Sequence, residues 1–116
     1  MPKVSNKKNE TFNDGMIEVC IVKDRSIIGN RINKKIRYGN KVIGFSRFYK
    51  AKLASISVDK VISIPFVKVI QPTDLIIIGA EQYKITLIQD KYDTQPQSRY
   101  LTLERINTLY SDKREG

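Results

Sequence analysis

The alternation of apolar and polar positions marks most of this chain as β. Met16–Lys23 reads MIEVCIVK, with Ile17, Val19 and Ile21 on one side and Met16, Glu18, Cys20 and Val22 on the other, the pattern of a half-buried strand. The stretch SVDKVISIPF predicts a second strand, closed by Pro65. DLIIIG is a short unbroken apolar run, which fits a strand covered on both faces. After a turn at GAEQ, YKITLIQD places Tyr83, Ile85 and Leu87 on one face and Lys84, Thr86 and Ile88 on the other. A polar loop, DKYDTQPQS, leads into RYLTLERI, with Leu101 and Leu103 inward and Thr102 and Glu104 outward. Ile76, Ile78, Ile85, Leu87, Leu101 and Leu103 are therefore the expected core.

The rest of the chain is less regular. Residues 1–14 carry no periodicity and read as a flexible arm. Between 24 and 44 the dipeptide Gly-Asn occurs twice, at 29–30 and 39–40. Such pairs suit tight hairpin turns, with Ile36, Tyr38, Val42 and Ile43 as thin apolar arms, and the segment reads as a long basic loop. In SRFYKAKLA, Phe45, Phe48, Tyr49 and Leu53 fall at or beside helical spacing and predict one short helix. Residues 108–116 read as a flexible tail. The expected fold is mainly β: a small antiparallel β-barrel of five or six strands over residues 15–107, with one short helix and a long basic loop about 24–44.

Composition narrows the chemistry. The 116 residues hold one modest core. No apolar run reaches the roughly 18 residues of a membrane span, and the polar N-terminus lacks the apolar stretch of a secretory signal. A single cysteine forms no internal disulfide, and the absence of histidine removes the commonest metal ligand and general base. No metal, cofactor or catalytic role is expected. Asp90 and Asp93, close in sequence, read as solvated acids on a hairpin loop, and Cys20 as a packing residue.

Charge changes the picture most. The formal net charge is +9. Ten basic residues lie between Lys23 and Lys52 against one acid, Asp24, while the remainder of the chain has eleven of each sign. A basic segment of this kind is either a solvated face or a surface turned toward a polyanion, most plausibly nucleic acid.

Arg47, Phe48, Ala51, Asp59, Val61, Ile64, Pro65, Asp74, Gly79, Tyr83, Ile85, Leu101 and Leu103 carry a resemblance. In their order and spacing, over about residues 16–106, the chain resembles the head–tail joining proteins of tailed bacteriophages, also called head-closure, stopper or adaptor proteins, of the type found in phages and prophages of Gram-positive bacteria. Unlike many of those proteins it has no tryptophan. The resemblance implies a small β-barrel that assembles as a ring, commonly twelve-fold, beneath the portal at the capsid vertex, and the repulsion between subunits of charge +9 predicts a monomeric or weakly associated protein in isolation. It implies portal, adaptor and tail proteins and packaged DNA as partners, and no membrane. It places the protein in the virion at the head–tail interface and in the host cytoplasm during assembly. Such proteins close the portal channel after packaging and dock the tail, and a loop between strands projects toward the channel. On this chain that loop matches residues 24–44, and Lys34, Lys35, Arg37 and Lys41 are the candidates to face DNA or the lumen. The competing expectations are a monomeric nucleic-acid-binding barrel of the OB or SH3-like type, with Tyr38, Phe45, Phe48 and Tyr49 as stacking platforms, and a neighbouring adaptor or tail-completion protein of the same particle.

Overall fold

Two short turns join neighbouring antiparallel strands. Asp24 and Arg25 both adopt positive φ, 51° and 60°, and join β2 (Gly15–Lys23) to β3 (Ser26–Asn30). Two successive positive φ values give the hairpin turn whose twist matches that of paired strands. Gly79, at φ +60°, opens the two-residue turn between β6 (Leu75–Ile78) and β7 (Glu81–Lys91), where glycine takes the left-handed conformation without steric cost. The computed structural model describes residues 8–42 and 58–114. The remaining strands are β1 (Lys8–Asn9), β4 (Ile36–Lys41), β5 (Lys60–Pro65), β8 (Thr94–Gln95), β9 (Ser98–Arg105) and β10 (Ser111–Asp112). The helix expected within 46–54 lies outside the described residues.

Six strands close into an antiparallel barrel in the order β2, β4, β5, β9, β7 and β6, with β6 returning to β2. Closure leaves the barrel wall without a free edge. Its interior is packed by Ile17, Val19, Ile36, Tyr38, Ile62, Ile64, Ile70, Ile76, Ile85, Leu101 and Leu103, with Ile32, Ile78, Tyr83 and Ile88 alongside. The run Leu75–Ile77 is buried on both faces, as its continuous apolarity predicts. Ile76 faces the barrel interior, while Leu75 and Ile77 join Cys20 and Ile27 in a second, outer cluster closed by Val22, Ile106 and Tyr110.

Three expectations are corrected. Leu87 is not core: it is 46 % exposed. Thr86 is an extra residue in β7, since Ile85 pairs with Leu103 and Leu87 already with Thr102. This bulge reverses the inside–outside phase of the strand, so Ile88 packs inward in place of Leu87.

The segment 24–44 is not a long loop. It carries β3 and β4, and neither Gly-Asn pair is a turn. Gly29–Asn30 ends β3. Gly39–Asn40 lies within β4, paired with Ile62 and Ser63. Gly39 is needed there because a Cβ would stand 2.5 Å from the Thr11 carbonyl oxygen, where the N-terminal segment crosses the barrel wall.

The described parts of the arm and tail are tied down. β1 pairs in parallel with β8, and β10 in parallel with β3. Asp14 donates its N–H to the Tyr38 carbonyl and accepts from the Asn40 N–H. These contacts join residues far apart in sequence, and local composition carries no trace of them.

Candidate nucleic-acid interface

Cys20 pairs with Asn30 of β3 and with Leu75 of β6 at once, so those two strands flank β2 on opposite sides. β4 must share the β3 side for the barrel to close. β3 and β4 therefore run in succession along one side of β2, and residues 31–35 are looped out between them. Among the described residues this loop-out is the basic projection, much shorter than the 24–44 expected.

Its base is rigid. The Arg31 N–H donates to the Val19 carbonyl at 2.8 Å, extending the β2–β3 pairing by one residue. The Arg31 guanidinium grips the Asp74 carboxylate through Nε at 3.2 and 3.0 Å and Nη2 at 3.0 Å. Asp74 is almost wholly buried and also accepts the Gln71 N–H at 2.9 Å. Donation to the Asp74 carboxylate holds the Arg31 pKa above its ordinary value, against the smaller opposing effect of burial. Ile32 and Ile36 pack on the barrel core from either end of the loop-out. Asn33, Lys34 and Lys35 are left at its exposed apex, and Arg37 follows on the outer side of β4. Lys34 and Lys35 border an open hollow of about 210 Å³ with Glu18, Asn30, Ile32 and Asn33.

Lys41 does not belong to this group. It sits at the far end of β4, where its Nζ donates to Glu10 Oε1 at 3.0 Å and lies 5.1 Å from the centroid of the Tyr100 ring. The same carboxylate accepts the Ser63 and Tyr100 hydroxyls. Burial works against the Lys41 ammonium, but hydrogen bonds to Glu10 and Tyr100 outweigh it and its pKa is raised. Lys41 thus fastens the N-terminal segment to the barrel. Its position in a basic run concealed this, because Glu10 lies 31 residues away.

Charge pairing divides the surface. Every described acid except Asp24 accepts an ion pair or a hydrogen bond. Asp90 and Asp93 hold different cations, Arg99 at 2.6 Å and Lys91 at 3.7 Å, and do not form a paired-carboxylate site. Arg99 also donates to the Val67 and Ile70 carbonyls, pinning the β5–β6 connection. The charged groups of Lys23, Lys34, Lys35, Arg37, Lys68 and Lys113 have no partner among the described residues. Arg47, Lys50 and Lys52 lie outside the described residues.

Arg114 escaped the sequence reading altogether. Its guanidinium donates to Glu18 at 3.0 Å, to Asn30 Oδ1 at 2.8 Å, to Cys20 Sγ at 3.4 Å and twice to Asp112. These bonds span up to 96 residues, so no spacing signal could reveal them. Burial pushes the Cys20 thiol up to about 11, against the lowering effect of Arg114.

Of the aromatics expected as stacking platforms, Tyr38 is 6 % exposed and belongs to the core. Phe45, Phe48 and Tyr49 lie outside the described residues. Comparisons with protein-family models, with curated proteins and with solved structures found no match to this chain.

Proposed function

We propose that this protein is a structural component of a phage head–tail connector, which closes the portal channel over packaged DNA and offers a docking surface to the tail. The observation that carries the role is the loop-out at 31–35. It presents Lys34 and Lys35 unpaired, with Arg37 beside it, on a base held by the Arg31–Asp74 clamp. The acids around it are compensated within the chain, so this projection keeps its positive field. A ring of such subunits turns one loop per subunit toward a common axis, and the repeated cations meet the polyanion there.

The resemblance supports the same role through the barrel framework. Asp59 accepts the Arg105 N–H at 2.7 Å, Asp74 is the buried anchor of the loop-out, and Gly79 makes the β6–β7 turn. Burial of Tyr38 weighs against the competing monomeric barrel with aromatic platforms, because a core ring offers no face to a base.

The test replaces Lys34, Lys35 and Arg37 with Ser. Lys41 is left alone, since its removal would strand the buried Glu10 carboxylate. The fold should survive, and assembled capsids should package DNA and then leak it or fail to accept tails. Capsids that retain DNA and mature normally would refute the role. The isolated wild-type chain should sediment as a monomer and bind duplex DNA only weakly, since one subunit offers few phosphate contacts. Sub-micromolar binding of single-stranded nucleic acid by the monomer would favour the competing barrel.

A further inference from the structure

The hollow beside the loop-out is lined by residues between 18 and 35, two of which are held by Arg114 from the far end of the chain. Its lining holds two unpaired ammonium groups, Lys34 and Lys35, two side-chain amides, Asn30 and Asn33, one aliphatic residue, Ile32, and one carboxylate, Glu18. Glu18 would repel an anion, but Arg114 compensates it at 3.0 Å. The same guanidinium donates to Asn30 Oδ1 at 2.8 Å, which fixes the amide orientation and leaves Asn30 Nδ2 as a donor without a partner among the described residues. Arg114 thus offsets the one carboxylate of the lining and orients one of the donors. The side chain of Arg114 is itself only 19 % exposed and is held further by Asp112 at 2.6 Å.

We infer that this hollow seats a phosphate group of a nucleic-acid backbone, and that Arg114 sets its affinity through Glu18 and Asn30 without lining it; the inference rests on the polyanion-facing role proposed above. The volume of about 210 Å³ is several times the ~30 Å³ share of one water molecule, enough for a phosphate with part of its hydration. Among the described residues the lining contains no aromatic ring, so a base gains no stacking there. Recognition is therefore of the backbone and independent of sequence, as a protein facing whatever DNA lies in a channel requires.

The experiment titrates isotope-labelled full-length protein at low salt with a short DNA duplex and, separately, with inorganic pyrophosphate. The readouts are the amide resonances of Asn33, Lys34 and Lys35 and the side-chain NH2 of Asn30. DNA should shift these signals saturably. K34S/K35S should abolish the shifts and flatten the slope of log affinity against log salt by about 0.9, the share of the one seated phosphate. R114M should weaken binding, because Glu18 is then uncompensated. Adding E18Q should restore it, whereas D112N, which restores the same net charge, should not. Equal restoration by both second substitutions would mean that only overall charge matters, and would overturn the role of Arg114. If R114M fails to fold, R114K takes its place: it keeps the charge but loses the fork. Weaker binding then supports the inference, and unchanged binding overturns it.

DNA-induced shifts confined to other surfaces would overturn the hollow as the seat. The connector role would survive that result if the Lys34, Lys35 and Arg37 variant capsids still leaked. Saturation by pyrophosphate without any response to DNA would assign the hollow to a free phosphate compound and refute the nucleic-acid ligand.

Discussion

Arg31→Met isolates the clamp that holds the basic loop-out. The substitution keeps much of the aliphatic bulk and removes three of the four hydrogen bonds received by the Asp74 carboxylate, leaving the Gln71 N–H. The two partners are not equivalent. The Asp74 side chain is 1 % exposed, whereas that of Arg31 is 27 % exposed. Arg31→Met therefore strands an anion away from water, while Asp74→Asn strands a cation that partly rehydrates. Breaking a buried pair from one side costs about 3–5 kcal/mol, and Arg31→Met should fall in that range. Asp74→Asn should cost less, about 1–3 kcal/mol, since the amide keeps one acceptor. A domain of this size is stable by about 5–15 kcal/mol, so Arg31→Met removes a large share of the total. Its melting temperature should drop by more than about 10 °C. Urea denaturation gives both numbers, provided that the m-value is unchanged. Hydrogen exchange at 32–35 should accelerate more than exchange in β5 and β9. A loss below about 1 kcal/mol for Arg31→Met, or a larger loss for Asp74→Asn, would refute the assignment of Asp74 as the buried anchor.

Other consequences are as specific. Leu101→Ala, at a fully buried position, should cost about 2–5 kcal/mol, and Leu87→Ala, 46 % exposed outside the bulge, under about 1 kcal/mol by thermal or urea unfolding; equal costs would disprove the bulge at Thr86. Gly39→Ala puts a Cβ against the Thr11 carbonyl, so hydrogen exchange at 10–14 should rise sharply with the barrel strands unaffected, and unchanged exchange would mean that the arm does not cross there. The Cys20 thiol has a folded pKa of about 11 against an ordinary 9.0. The unfolded chain therefore ionises first, and stability present below pH 9 should decline as pH rises from 9 toward 11. Cys20→Ser should reduce that decline, and an identical pH profile for the variant would contradict the thiol's burial as its cause.

Period-two alternation sufficed to identify β2, β5, β7 and β9, because a strand that buries one face writes that face into every second residue. The unbroken run Leu75–Ile77 likewise announced burial on both faces. Segregated charge located the basic segment, since composition is visible without contacts. What remained hidden depended on partners distant in sequence. An inserted residue such as Thr86 reverses a strand's phase without altering its composition. Gly39 looked like a turn residue, yet its missing Cβ makes room for Thr11. Among the four cations chosen from the basic run, Lys34, Lys35 and Arg37 have no ion-pair partner among the described residues, while Lys41 is committed to Glu10. Only the closed barrel decides between them. A charge is available to a ligand or consumed within the fold according to which carboxylate lies within about 4 Å, and topology, not local sequence, sets that distance.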